Sequence, residues 1–322
     1  MNRLLILFTI SLGSIDDPNN TWYTPAQITN RNTLLWTADW SADDKYLAVG
    51  GNDYALKIFD GKNFQLHKTF DLKTAVQCLD WNKNGKLLAI ALDDQAVQVL
   101  NIETGDFRIL KETQSGSRAL AWNNTGDLLA VGDTEGVIWI YTETGNLVRS
   151  IKKENTKSYL SLDWHPKKNV IATGSDKIRL FDVSGKELKS VKHRQEETIL
   201  LSIKWHPSGN FFATGDYGHK EENIASLLQF WTEDGMLIKS LNGSKAEYRN
   251  IRWNKNGEVL ATASDALRLW SKDGVILYTG NSTELLWGLD WDSNGKHIVT
   301  TSEKGKMVLW SDQAKLEKQI HY

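Results

Sequence analysis

At 322 residues and a formal charge of −2, the chain has no broad electrostatic attraction for nucleic acid or anionic membranes. Its single cysteine, Cys78, excludes an intramolecular disulfide framework, and within an apolar strand it reads as a small core residue. Trp, Tyr, Phe, Val, Ile and Thr are plentiful and prolines number only four, which favours β structure at a length that can bury a core without metal.

The chain opens on MNRLLILFTISLGS, where Arg3 precedes an apolar run from Leu4 to Leu12 and a small-x-small pattern, Ser11-Leu12-Gly13. Residues 1–13 read as a secretory signal, too short to span a bilayer, which predicts an exported protein, periplasmic or secreted. The alternative is an outer strand of a cytoplasmic protein. Residues 14–31 form a polar connector, and 32–322 the folded domain.

From there a tryptophan recurs at Trp40, Trp81, Trp122, Trp164, Trp205, Trp253 and Trp291, at intervals of 41, 41, 42, 41, 48 and 38 residues. A polar turn follows each one (SADDK, NKNGK, NNTGD, HPKKN, HPSGN, NKNGE, DSNGK), then an apolar strand such as YLAVG or LLAIA, then a third strand such as ALKIF or VIWIY. A more polar fourth segment, QLHKTF or NLVRSI, completes each unit. Four short strands per repeat and seven repeats predict an all-β, seven-bladed β-propeller of four-stranded antiparallel blades. Leu316 to Ile320 supply the last strand, so blade seven is complete and packs on blade one without an exchanged N-terminal strand.

Seven in-phase units such as WNKNGKLLAIALDDQAVQVL and WNKNGEVLATASDALRLW resemble the WD-repeat propeller family over residues 32 to 320. Asp53, Asp94, Asp176 and Asp265 match its turn aspartate, and Phe59-Asp60 and Phe181-Asp182 approximate its Trp-Asp ending. No repeat carries the Gly-His pair usual before the first strand, so the family's His–Asp–Ser–Trp network cannot form as such. The resemblance implies a rigid, monomeric binding platform whose first strands line the central channel.

Counting back from each repeat tryptophan, positions −2 and −5 are mostly apolar, and a step of three implies a β-bulge. Position −4 is then free to face the channel mouth, and it varies: Trp36, Gln77, Arg118, Leu160, Leu201, Arg249 and Trp287. Positions needed only for folding repeat between blades, whereas binding positions need not. Blades one and seven are ring neighbours, which sets Trp36 and Trp287 side by side, flanked by Arg249. Blade five carries about seven extra residues, DYGHKEENIAS, and the resemblance puts them over the same mouth, with Tyr217, His219, Lys220, Glu221 and Glu222 exposed. Position −1 presents an acidic arc, Asp290, Asp39 and Asp80, facing Lys204 and Arg252, which reads as ion pairing within the ring.

No nucleophile–base pattern, Walker loop or His-Glu-x-x-His helix occurs, and no metal or cofactor is expected. His165 and His206 precede prolines where sister repeats have Asn, and read as turn residues. The reading is therefore a scaffold for a protein or peptide partner. The alternative is an exported propeller enzyme or small-ligand or metal-binding protein, using His219, Glu221, Arg249 and the aspartate arc at the channel mouth.

Overall fold

Each tryptophan repeat folds into one four-stranded antiparallel sheet with its strands in sequential order, and seven such sheets follow one another along the chain. A computed structural model describes residues 33–153, 158–219 and 222–322. The expected leader and connector, and Lys220 and Glu221 of blade five, lie outside the described residues. The only helical turn among the described residues is Lys111–Thr113. No helix there is long and apolar enough to cross a membrane.

The strand chemistry follows radial position. Second strands such as Leu87–Leu92 are packed on both faces, so they read as continuous apolar runs rather than alternating ones. Fourth strands such as Leu147–Lys152 are exposed almost throughout and mix polar residues with exposed apolar ones such as Leu147 and Val148. Most of these hairpin turns hold a left-handed residue, such as Gly85 (φ 70°) and Gly126 (φ 81°); blade one uses Asp44 instead, at φ 56°.

Three kinds of contact recur between successive blades, always in the same direction. The first is a knob and socket. Residue −5 of one blade packs on the small residue ending the second strand of the blade before: a Cβ on Gly50 would lie 2.6 Å from Val76 Cβ, one on Gly132 2.6 Å from Tyr159 Cβ, and one on Gly215 2.4 Å from Tyr248 Cβ. The second, in the four blades with Asp at position −1, is a carboxylate clasp. Asp39 Oδ2 accepts the Trp81 amide at 2.8 Å, Asp80 Oδ2 that of Trp122 at 2.7 Å, and Asp163 Oδ2 that of Trp205 at 2.8 Å. The third lies on the rim, where Arg108 donates to the Glu143 carbonyl at 2.9 Å and Lys239 to that of Asp273 at 2.6 Å.

The same three contacts close the ring. The Trp40 amide donates to Asp290 Oδ2 at 2.8 Å, and Lys318 reaches the Asn63 carbonyl at 3.3 Å. Thr301 stands at the socket position, where its hydroxyl accepts from the Gly288 amide and donates to the Leu35 carbonyl, both at 3.0 Å. Leu35, Trp40 and Val49 share one apolar cluster with Met307, Leu309 and Ile320. Leu316–Ile320 pairs with Met307–Ser311 as the fourth strand of blade seven, as the sequence predicts.

Candidate functional site

The inner strands show why position −4 differs from its neighbours. Pairing with the second strand slips at Trp36, Gln77, Arg118 and Leu201, so each of these is a bulged residue. In blades four and six the paired strand starts only at Ser161 and Asn250, leaving Leu160 and Arg249 ahead of it. In blade seven both Trp287 and Gly288 lie outside the ladder. All seven −5 residues and all seven −2 residues are buried, whereas every −4 residue is half-buried. In each blade the −4 side chain is thus turned partly away from the core, at a bulge in five blades and just ahead of the paired strand in blades four and six, and its chemistry does not repeat.

Charge organises part of this ring. Arg249 stacks its guanidinium over the Trp287 ring at 4.2 Å, and its Nε donates to Glu247 Oε1 at 2.9 Å. Gln77 donates to Asp93 Oδ1 at 2.5 Å, and Arg118 Nη2 lies 3.8 Å from the same oxygen. Burial pushes the Asp93 carboxyl up, and the Arg118 cation opposes that shift. Trp287 and Arg249 therefore meet as expected, but Trp36 and Trp287 make no ring contact among the described residues. Gly288 is pressed onto blade one, where a Cβ would meet Ala38 N at 3.0 Å.

The described residues on the two sides of the blade-five insertion are tied to one another. Asp216, fully buried, accepts from the Gly218 and Leu227 amides and closes the base of the insertion. His219 and Ile224 bridge through their backbones, and Ser226 Oγ donates to the Tyr217 carbonyl. The Tyr217 amide donates to the Ile199 carbonyl at 2.9 Å, which ties the insertion to the entry of the inner strand. His219 is engaged within the insertion, its Nδ1 accepting from the Glu222 amide at 3.3 Å.

Arg194, His193 and Asp216 went unnoticed in the sequence. Arg194 bonds Asp216 Oδ2 and the Ala225 carbonyl, both at 2.9 Å, clamping the insertion from the preceding loop. His193 Nε2 lies 3.7 Å from Asp216 and 2.7 Å from Thr198 Oγ1, while Trp231 Nε1 donates to Thr214 Oγ1 at 2.9 Å. Blade five therefore gathers His, Asp, Thr and Trp in one place, but Thr198 takes the imidazole bond and the network stays broken. The lone histidine beside a loop extension was the available signal, hidden because Lys192 rather than Gly precedes it.

The −1 ring pairs as the sequence suggested. Lys204 bonds Asp163 at 2.8 Å, and Arg252 lies 3.6 Å from Asp290 and 4.0 Å from Asp39. Four carboxylates face two cations, so burial and mutual repulsion raise Asp39 well above the usual range; burial pushes Asp80 up to about 6. Burial likewise pushes the Cys78 thiol up to about 11. No group of three potential metal ligands occurs among the described residues. At the opposite face, His165 Nε2 and His206 Nε2 bond the Gly209 and Gly257 carbonyls of the next blade, at 3.0 and 2.8 Å, so they are turn residues that also tie blades together.

The raised Asp80 carboxyl sets a pH dependence. Its contribution is fully present below the unfolded value near 4 and is lost as pH rises through 6. Asn keeps an oxygen for the Trp122 amide but cannot titrate. Asp80→Asn should therefore gain stability relative to the parent between pH 5 and 7, by roughly 1–2 kcal/mol. Denaturation midpoints across that range, with a difference that does not change, would remove the assignment.

Comparison with known families decides the lineage. The WDR19 first beta-propeller family matches residues 36–204, more than half of the chain. The chain belongs to that family. The WD domain, G-beta repeat, separately matches residues 273–311, within blades six and seven. No curated protein matches the chain. WD-repeat propellers generally serve as protein-interaction scaffolds, and this WD-repeat propeller shares their architecture.

Proposed function

We propose that the protein is a scaffold whose protein or peptide partner docks on the channel-mouth face, with Trp36, Arg249 and Trp287 as anchors. One observation carries this reading: every −4 side chain is half-buried between a buried −5 residue and a buried −2 residue, and the seven −4 side chains range over Trp, Gln, Arg and Leu. Large aromatic and Arg side chains in that set are the kind that dominate interface energetics. Stacking on Trp287 fixes the Arg249 plane before a partner arrives, which lowers the ordering cost of binding. Gln77, Arg118, Leu160 and Leu201 complete the rim, and Tyr217 and His219 belong to the insertion tied beside it.

The test is affinity capture with the parent and a Trp36→Ala/Trp287→Ala variant, each first checked by thermal melting. The variant should stay folded, because both side chains are half-exposed, and should lose about 2 kcal/mol or more of affinity per anchor. Undiminished recovery of the same partners by a folded variant would remove the mouth as the docking face.

A further inference from the structure

Two of the seven mouth residues are arginines, from blades three and six on opposite arcs of the ring, and neither meets a carboxylate from its own inner strand. Arg118 has Asp93, contributed by the turn after the second strand of blade two, at 3.8 Å. Arg249 has Glu247, two residues earlier in its own loop, and gives it only the Nε edge. Its Nη nitrogens make no hydrogen bond among the described residues, and stacking on Trp287 holds the guanidinium plane still. Although they come from different arcs, the two cations are near enough that Arg249 joins burial in lowering the Arg118 pKa, against the pull of Asp93.

We propose that the mouth recognises an acidic peptide segment, whose Asp or Glu side chains pair with Arg118 and Arg249 while neighbouring apolar groups lie on Trp287 and Trp36. This rests on the scaffold reading and specifies its partner. Like charges brought together in a partly buried site favour an incoming anion. The planar guanidinium fork matches a carboxylate through paired, charge-assisted hydrogen bonds. Asp93 and Glu247 then act as internal stand-ins for the peptide's acid. They hold the two arginines in place when no partner is bound, and they compete with it.

The experiment selects random dodecapeptides displayed on phage against the full chain and against an Arg118→Gln/Arg249→Gln variant. Peptides enriched on the parent should be rich in Asp and Glu, and the variant should not enrich them. Replacing the acids by amides in a synthetic enriched peptide should weaken binding about tenfold or more, and so should raising salt. Asp93→Asn should tighten binding several-fold, since it removes the internal competitor; a residue that only supports the fold would not do this. A consensus without acids, equal enrichment on the variant, or weaker binding by Asp93→Asn would each overturn the proposal. Peptides that depend on Trp36 and Trp287 but not on the arginines would overturn this inference and leave the scaffold reading standing. Failure of the parent to enrich any peptide would overturn the inference, and the scaffold reading would fall only if capture also survived the Trp36→Ala/Trp287→Ala change.

Discussion

Gly215→Val should lower the unfolding free energy by about 3 kcal/mol or more, the upper range for overpacking a closely fitted site. The added Cβ would sit 2.4 Å from Tyr248 Cβ, 2.6 Å from Ser202 Oγ and 3.1 Å from the Tyr248 carbonyl oxygen. None of these can swing aside, since two are main-chain-fixed and Ser202 Oγ is bonded to the Tyr248 carbonyl at 3.0 Å. The blade-five and blade-six sheets must separate, and Tyr248, fully buried, loses its packing. Denaturant midpoints should show the loss, and Tyr248→Ala in the same background should cost less than it does in the parent, because the two changes share one contact. A Gly215→Val protein as stable as its parent would mean that the blades do not meet at this socket.

Trp164→Ala should cost about 3–5 kcal/mol by leaving a cavity between blades three and four. Trp164 is 4% exposed and packs in one cluster with Ala121, Ile140 and Phe181. Its indole N–H donates to the Ala121 carbonyl at 2.9 Å, so the change also leaves that acceptor without its bond. Trp164→Phe, which keeps most of the volume, should recover most of the loss. Equal midpoints for parent and Trp164→Ala would show that the repeat tryptophan is not a structural residue.

How far the sequence could be read follows the repeat itself. The tryptophan period announces blade number because every blade meets the same two neighbours and needs the same residues to do so. The three-residue step between Val76 and Leu79 announces the bulge at Gln77 because alternation in a strand allows only steps of two. What the repeat does not constrain could not be read. Asp93 and Glu247 reach their arginines through loops whose paths differ from blade to blade, so no spacing announces them. Asp216 resembles another turn aspartate until the Gly218 and Leu227 amides are seen on it. The second unpaired residue in the blade-seven bulge, Gly288, likewise has no counterpart in the other repeats.

The knobs, clasps and rim contacts all run from one blade to its successor, and the step from blade seven to blade one repeats the others. The ring is therefore a head-to-tail assembly, each unit carrying one donor side and one acceptor side that are not copies of each other. Such an assembly has no self-satisfying end: it terminates only by meeting its own beginning. Blade count is then a matter of angle, fixed by how far each interface rotates its successor. A chain missing one blade would present an open head and an open tail, complementary to those of the next molecule, and would join head to tail with other copies rather than stay single.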